Sequence, residues 1–372
     1  MKIAFLTSTL GLYGGNLIML RYAGHLASLG HEVSVVSPQS EIECSLPAGV
    51  KLHCWKMLPR RSVFYSHYLV YLLRAARCLR SSFDVVIPVH TPFAVHALFA
   101  RRLYRLHCRV ILLYQDFFAM PWTGKYIKCL LGQKWLLKAL DKVIAVSPGS
   151  AREFESASKV RPLVIPNGID EVFFAKPGVA RGCYVLFVGR PAQSKGFDVF
   201  TKAMALVTSH IPTVRGLLVS SAVEDGMLGE IQTVRYRDRE QMKNLYAEAL
   251  VYVHAAVGES FGLPPLEAMA AGTPTVITNT VGTSDYARDN DNCLAVEYGD
   301  YESMARKIVL LIQDEKLRSR VAQAGLVTAG AYKWKTSLEQ FAREVTGTTP
   351  SPSPALLEHP QNIQQPAGEA TR

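Results

Sequence analysis

Short runs of aliphatic and β-branched residues alternate with longer helical segments along most of this chain. The runs lie at 3–7, 33–37, 83–88, 110–114, 143–146, 184–188, 216–220, 251–254 and 275–278. Apolar strands of this length, separated by helices, are typical of a parallel sheet that is covered on both faces. Because the pattern restarts near residue 184, it predicts two doubly wound α/β units of similar size.

Turn-rich residues mark the boundary between the two predicted units. At 372 residues and 49% hydrophobic, the chain is large enough for two ordinary cores. Pro166-Asn167-Gly168 and Pro177-Gly178 bound a candidate linker, and the last residues are mostly Thr, Pro, Ser, Gln and Gly, which predicts disorder. We therefore predict a first domain over 1–165, a linker over 166–180, a second domain over 181–330, a helix over 331–346 and a disordered tail over 347–372.

Positive charge is concentrated in the first half of the chain. Residues 1–150 hold 18 Lys and Arg against 6 Asp and Glu, a net charge of +12, whereas the remaining residues hold 23 against 25, a net charge of −2. This asymmetry indicates an anionic partner for the first half: phospholipid, a lipid phosphate or nucleic acid.

Cysteine usage and hydropathy bear on the compartment. We interpret the cysteines as reduced thiols, because they are odd in number, scattered and form no C-x-x-C pair; they are residues 44, 54, 78, 108, 129, 183 and 293. The first residues do not resemble a secretory signal, and the uncharged stretch 85–100 is too short and broken to span a bilayer. We expect a cytoplasmic protein that is soluble or peripheral on the inner face of the cytoplasmic membrane.

Two glutamates eight residues apart, Glu259 and Glu267, enclose Gly262 and Pro264-Pro265. Proline is tolerated in the first turn of a helix, so a helix should begin near Leu263 or Pro264. The N–H groups at its start form an anion site, and the two carboxylates beside it suit sugar hydroxyls next to a diphosphate. The alternative is that both glutamates are solvated helix charges.

The run from Glu259 to Pro274 resembles the E-x7-E signature of the family-4 glycosyltransferases, retaining enzymes of the GT-B fold. Other segments resemble the same family over roughly residues 1–345: Gly14-Gly15, 30–33, 166–170, 188–190, 195–196 and Trp334. The resemblance implies an α/β protein with two Rossmann-like domains and a C-terminal helix that crosses the linker.

The resemblance also implies roles on the donor side. Arg190 and Lys195 would neutralise the donor diphosphate, and Gly15 would let the backbone of the first domain approach the phosphates. The alternatives are two surface loop charges and a plain turn glycine. Glu267 would bind the ribose and Glu259 the donor sugar; backbone groups would come from Phe261, Gly262 and Leu263, and the base would lie near 234–237.

The acceptor side departs from the family pattern. His90 follows a strand-like run at the carboxyl edge, where the family often has a histidine; a packed core histidine is the alternative. After the next strand the family often has His-Asp or His-Gly, whereas this chain has Gln115-Asp116, and glutamine cannot transfer a proton. Asp116 would orient or deprotonate the acceptor hydroxyl, or else cap a helix or turn.

No metal or other cofactor is expected. Asp289-Asn290-Asp291 has the form of a D-x-D metal motif, but it lies in an Asn- and Asp-rich turn after the predicted helix, so we interpret it as turn chemistry. The cations Arg190 and Lys195 would replace a metal, and the nucleotide sugar is a substrate.

Two basic, aromatic segments in the first half suggest a membrane surface as the anionic partner. One contains Arg60-Arg61, Tyr65, Tyr68, Tyr71, Arg74, Arg77 and Arg80; the other spans 122–142. Cationic amphipathic helices with aromatic residues lie in lipid interfaces. The alternative is a helix packed on the sheet with a solvated basic face. Nothing else in the sequence indicates nucleic acid.

Taken together, these features and the family resemblance predict a glycosyltransferase that moves a sugar from a UDP- or GDP-type donor to an acceptor hydroxyl; the resemblance implies retention of configuration. The acceptor would be a glycan or a lipid-linked molecule, in cell-surface polysaccharide or glycolipid biosynthesis. Two alternatives stay open: a non-catalytic sugar-nucleotide-binding protein on the same fold, which Gln115 allows, and an inverting enzyme with a base from the first domain.

Overall fold

The computed structural model describes residues 1–7, 10, 14–38, 45–55, 64–80, 83–116, 137–174 and 179–347, with backbone only for 64–70. Several predicted features lie outside these residues: Arg60-Arg61, the segment 122–136, linker residues 175–178 and the tail from 348. The chain divides into two compact units. Unit 1 comprises Met1–Leu113, Ala139–Lys142 and Leu338–Arg372, and unit 2 comprises Tyr114–Lys138 and Val143–Ser337.

Unit 1 is built on parallel strands in the order β3-β2-β1-β4-β5. These are β1 (Lys2–Leu6), β2 (Glu32–Pro38), β3 (Val50–Trp55), β4 (Val85–Pro88) and β5 (Arg109–Tyr114), with helices α1 (Gly14–Ser28), α2 (Phe64–Leu79) and α3 (Thr91–Leu103). The first strand lies between β2 and β4, so the chain winds outward from β1 in both directions. This is the doubly wound arrangement that the sequence predicts.

Unit 2 contains a second sheet with the order β10-β11-β9-β8-β12-β13-β14, in which only β10 runs antiparallel. Its strands are β8 (Tyr184–Val188), β9 (Arg215–Ser220), β10 (Gly226–Leu228), β11 (Ile231–Arg235), β12 (Val251–His254), β13 (Thr275–Thr278) and β14 (Leu294–Val296). The helices of this part are α5 (Phe197–His210), α6 (Arg239–Glu248), α7 (Leu263–Ala270), α8 (Tyr301–Gln313) and α9 (Glu315–Gly330). Unit 2 also holds a parallel pair, β6 (Lys142–Ala145) and β7 (Leu163–Val164), joined by α4 (Pro148–Ser158).

The last described helix, α10 (Trp334–Thr346), begins against the predicted linker. The Ser337 hydroxyl donates to the Pro166 carbonyl at 2.6 Å. A Cβ on Gly168 would lie 2.3 Å from the Trp334 backbone nitrogen, so only glycine allows this close packing. From Leu338 onward the helix belongs to unit 1, where the Phe341 ring stacks on Tyr22 with ring centroids 3.9 Å apart.

The predicted fold class is confirmed, and all nine predicted strands are present with ends shifted by at most two residues. The pattern did not predict β3, β7, β10 or β14, because β7, β10 and β14 have only two or three residues and β3 is largely half-exposed or exposed, with polar residues between its apolar ones. Of the helices in the described ranges, none has the length and apolar character needed to cross a membrane.

Gly196 and Gly272 form a matched pair for measuring one steric constraint. Both have left-handed backbones, with φ of +71° and +69°, but a Cβ on Gly196 would lie 1.8 Å from the Ala255 carbonyl oxygen, whereas one on Gly272 would meet nothing within 4 Å. We expect Gly272→Ala to cost about 1–2 kcal/mol of stability through its φ alone. Gly196→Ala should cost at least about 2 kcal/mol more, measured by urea unfolding. Equal losses of stability in the two variants would show that the backbone at Ala255 can move to accommodate the extra carbon.

Candidate active site

The second sheet has a topological switch point at β8. β8 pairs with β9 on one side and with β12 on the other. The strands that follow β8 are therefore added first on one side of it and later on the other. In doubly wound sheets, ligands bind at such a point, outside the carboxyl ends of the strands. The loops after β8 and β12 meet there, and the Val257 backbone N–H donates to the Ser194 carbonyl at 3.2 Å.

Lys195 and Glu259, one from each of these loops, are in direct contact. Lys195 ends a short 3-10 turn after β8, and its Nζ lies 2.5 Å from Glu259 Oε1. The Glu259 side chain is only 16% exposed, so this carboxylate is largely removed from water. The structure therefore brings together two residues that the sequence predicts for the diphosphate and the donor sugar.

His254 is a member of this cluster that sequence reasoning missed. It is the last residue of β12 and is buried, and its Nε2 lies 3.7 Å from Glu259 Oε1. Its Nδ1 lies 3.3 Å from the Thr278 hydroxyl on the neighbouring strand. The available signal was its position at the carboxyl end of a predicted strand, five residues before Glu259.

The surroundings of Glu259 fix its charge. Burial alone would raise its pKa, but the Lys195 ammonium and the His254 ring outweigh burial and lower the pKa to about 2. The carboxylate is therefore ionised at physiological pH. An ionised carboxylate only accepts hydrogen bonds, which suits the hydroxyl groups of a sugar.

Glu267 lies one turn inside α7, which begins at Leu263 as the sequence predicts. The preceding Gly262 has a φ of +83°, and Pro264 and Pro265 occupy the first turn. The Tyr246 hydroxyl donates to Glu267 Oε2 at 2.9 Å. Burial, and then the Glu267 charge, raise the pKa of Tyr246 far above its ordinary value, so the phenol keeps the proton that orients this carboxylate.

The loop between the two glutamates is held by its backbone. The Gly282 N–H donates to the Glu259 carbonyl at 2.8 Å, and the Tyr286 hydroxyl donates to the Gly262 carbonyl at 2.8 Å. The Phe261 side chain is buried against Tyr286 and Tyr332. Its side chain thus belongs to the core. The predicted role of Phe261 in donor binding therefore concerns its backbone groups.

Arg190 lies two residues after β8, at the same edge of the sheet as Lys195, and its side chain is exposed. The region predicted to bind the nucleotide base, 234–237, comprises the last two residues of β11 and the two residues after it. There Arg235 pairs with Glu224, and Arg237 pairs with Asp225. These roles stay predictions.

In unit 1, Gly15 and His90 follow the adjacent strands β1 and β4. Gly15 is the second residue of α1. His90 is half-buried and has a φ of +78°, which is costly for a residue with a side chain, and its N–H donates to the Leu113 carbonyl at 3.2 Å. Such strain concentrates at functional sites, and the role of His90 stays a prediction.

Gln115 and Asp116 follow β5. Gln115 is buried and Asp116 is half-buried. Asp289, from the D-x-D sequence, accepts hydrogen bonds from the Ala295 N–H at 2.8 Å and from Lys307 at 3.2 Å, and Asn290 has a φ of +60°. This geometry is that of a turn.

The low pKa of Glu259 predicts how stability changes with pH. Its folded-state pKa of about 2 lies below the ordinary value of 4.5, so the carboxylate stabilises the folded chain above about pH 4.5 and loses this effect as the pH falls toward 2. The full effect is about 3 kcal/mol. We expect the unfolding free energy of wild type to exceed that of Glu259→Gln by a constant amount from about pH 8 to 5, and by less at about pH 3.5. A difference independent of pH would contradict the ion pair.

Two models of known protein families match adjacent segments of this chain. The model described as Glycosyltransferase Family 4 matches residues 14–173, and the model described as Glycosyl transferases group 1 matches residues 170–327. The two matches meet inside the predicted linker and together cover most of the chain.

Curated relatives match part of the chain. A D-inositol 3-phosphate glycosyltransferase of Nocardiopsis dassonvillei is 28% identical over 57% of this chain and 57% of its own length. The lipopolysaccharide core biosynthesis glycosyltransferase LpsE of Rhizobium meliloti is 31% identical over 43% of this chain and 46% of its own length. The chain thus spans about half the length of the curated relatives it matches.

Solved structures match nearly the whole chain. Sucrose-phosphate synthase of Thermosynechococcus elongatus superposes with a TM-score of 0.78 at 19% identity, covering 92% of this chain and 98% of that one. Anabaena HepE, solved in complex with UDP-glucose, gives a TM-score of 0.74 at 17% identity, covering 94% and 100%. Because the two family models together match residues 14–327 and these folds match more than nine tenths of the chain, the chain belongs to the glycosyltransferases of the GT-B fold.

Proposed function

We propose that this chain transfers a sugar from a UDP- or GDP-type nucleotide sugar to an acceptor hydroxyl, with retention of configuration and without a metal. The observation that carries the proposal is the Lys195–Glu259 contact at a topological switch point, beside the start of α7 and Glu267. Cation, ionised carboxylate and helix N-terminus are the three groups that a sugar diphosphate requires at one place.

Each group has a chemical task in this proposal. The leaving nucleoside diphosphate gains negative charge as the glycosidic bond breaks, and Lys195, Arg190 and the first N–H groups of α7 stabilise that charge. Glu259 accepts hydrogen bonds from the sugar, and Glu267 accepts from the ribose. A hydrogen bond to a charged group contributes about 1.5–3 kcal/mol.

On the acceptor side we assign supporting roles to unit 1 and to the residues after β5. His90 or Asp116 would bind or deprotonate an acceptor hydroxyl, and Gly15 would allow phosphate groups to approach the backbone of α1. The relatives are described as acting on inositol phosphate or in lipopolysaccharide synthesis, which supports a glycan or lipid-linked acceptor in cell-surface polysaccharide or glycolipid biosynthesis.

A non-catalytic nucleotide-sugar binder on this fold is the competing function. The distinguishing experiment incubates the protein with a panel of UDP- and GDP-sugars and a membrane extract, and measures release of the nucleoside diphosphate. An enzyme releases it in an acceptor-dependent manner. A binder is stabilised against heat by one donor, through mass action, and releases nothing above background.

Substitutions at the donor site should separate binding from turnover. Glu267→Ala should weaken donor binding about tenfold to a hundredfold, because it removes a charged acceptor. Lys195→Ala should chiefly lower turnover. Tyr246→Phe should give part of the Glu267 effect, since it removes only the hydroxyl that orients this carboxylate.

Donor titration measures the donor affinity of these variants, and steady-state kinetics measure their turnover. Glu315→Ala, at an exposed glutamate of α9, serves as the control. Unchanged kinetics in the Glu267 and Lys195 variants would mean that the site is misplaced.

Unit 1 presents a basic surface that we propose as a contact with anionic phospholipid. The apolar face of α2 is packed, with Tyr71 and Leu79 buried, as the packed-helix alternative requires. Its arginines are exposed, however, and α3 packs beside them; the surface arginines are Arg74, Arg77, Arg80, Arg102 and Arg105. No acidic side chain occurs on either helix, and Leu73 and Leu103 are about half exposed between the arginines. Cations interleaved with apolar side chains suit a lipid headgroup region.

Flotation with vesicles tests this contact. At low salt we expect the protein to float with vesicles that contain phosphatidylglycerol and not with pure phosphatidylcholine. The double charge reversal Arg77→Glu with Arg102→Glu should reduce binding at least about tenfold, since each surface cation contributes about 1 kcal/mol. The control is Lys316→Glu with Lys335→Glu, which changes the net charge equally at exposed sites outside this surface. Equal flotation with and without anionic lipid would rule out the contact.

A further inference from the structure

The start of α4 contacts the loop that carries Glu259. Ser147 precedes α4 as its N-cap, and its hydroxyl accepts the Ser150 N–H at 3.0 Å. The same hydroxyl donates to the Ser260 carbonyl at 2.7 Å. Because Ser147 is fully buried, both bonds form away from water, and losing one leaves an unpaired buried carbonyl or hydroxyl.

A second contact lies two residues further along, in the first turn of the same helix. The Gly149 N–H donates to Asp285 Oδ2 at 3.0 Å, and Arg152 approaches Asp285 Oδ1 at 3.4 Å. A Cβ on Gly149 would lie 2.1 Å from the Val281 carbonyl oxygen. The Asp285 side chain is only 9% exposed, and it neutralises the positive end of α4.

The segment 280–285 contacts both the start of α4, through Asp285, and the loop that carries Glu259, through Gly282. Gly282 donates its N–H to the Glu259 carbonyl, and a Cβ on Gly282 would lie 2.4 Å from the Phe261 backbone nitrogen. The two loops are therefore packed backbone against backbone with no intervening side chain. A shift of either loop moves the Glu259 main chain directly.

We propose that Ser147 and Asp285 are positioning residues that fix the main chain under Glu259, so that the start of α4 sets how the sugar of the donor is held. This inference rests on the proposed function. Lys195 contacts the carboxylate of Glu259, whereas Ser147 at the start of α4 holds the main chain at the next residue, Ser260. Glu267 is held separately, by Tyr246, and Lys195 lies on the loop after β8, so neither the ribose contact nor this cation rests on α4.

The test compares the affinity for a nucleotide sugar with that for its nucleoside diphosphate by calorimetry. The probes are UDP-glucose with UDP, and GDP-mannose with GDP. Ser147→Ala and Asp285→Ala should each weaken nucleotide-sugar binding about fivefold to tenfold and leave the nucleoside diphosphate affinity within about twofold. Asp285→Asn keeps an oxygen acceptor for the Gly149 N–H and should restore most of the loss. Ser158→Ala is the matched control, because it removes a buried hydroxyl at the other end of α4 that donates to the Phe154 carbonyl.

The possible outcomes are distinct. A selective loss of sugar-dependent affinity in both alanine variants, restored in Asp285→Asn, supports the inference. Equal weakening of both ligands, or an unchanged ratio, overturns it and leaves the proposed function standing. If wild type binds none of the four probes, the proposed function fails and this inference fails with it.

Discussion

The contact between Lys195 and Glu259 is the interaction on which the rest of the site depends. It joins the loops after two adjacent strands, β8 and β12, and it holds a buried carboxylate in its charged form. A buried unpaired carboxylate would take up a proton and lose its value as an acceptor. The ammonium therefore does two things: it keeps Glu259 ionised, and it places a cation where a diphosphate would lie beside a sugar.

Tight backbone packing makes this contact possible. Gly196 lets the turn that ends in Lys195 lie directly against the Ala255 carbonyl, and Gly282 lets the 280–285 segment lie directly against the Glu259 loop. Below the glutamates, Tyr246 holds Glu267 and Tyr286 holds the Gly262 carbonyl. Close backbone packing at the glycines and hydrogen bonds from buried tyrosines thus position the polar groups of the site in the absence of a ligand.

The sequence was sufficient for nine of the strands and for the start of α7, but not for the remaining strands or for the contacts between elements. Apolar runs located the central strands, and Pro264-Pro265 located the start of α7, because both signals are local. The pairing of Lys195 with Glu259 depends on β8 lying beside β12. Local sequence patterns do not predict the order of strands in a sheet. His254 was missed because it has the appearance of a strand residue, and Ser147 because its partner Ser260 is 113 residues away. β10 has only three residues, Gly226–Leu228, all of them exposed, so it is too short to show an alternation.

The two halves of the chain have different chemistry, and the donor half is the more sharply defined. We propose that the loops at the carboxyl ends of β8 and β12 bind the nucleotide sugar. The most direct measurement is a crystal structure of the chain with a bound nucleoside diphosphate sugar. We expect a diphosphate oxygen within hydrogen-bonding distance of Lys195 Nζ, the sugar hydroxyls on Glu259 and a ribose hydroxyl on Glu267. A nucleotide sugar bound away from the loops after β8 and β12 would contradict the account.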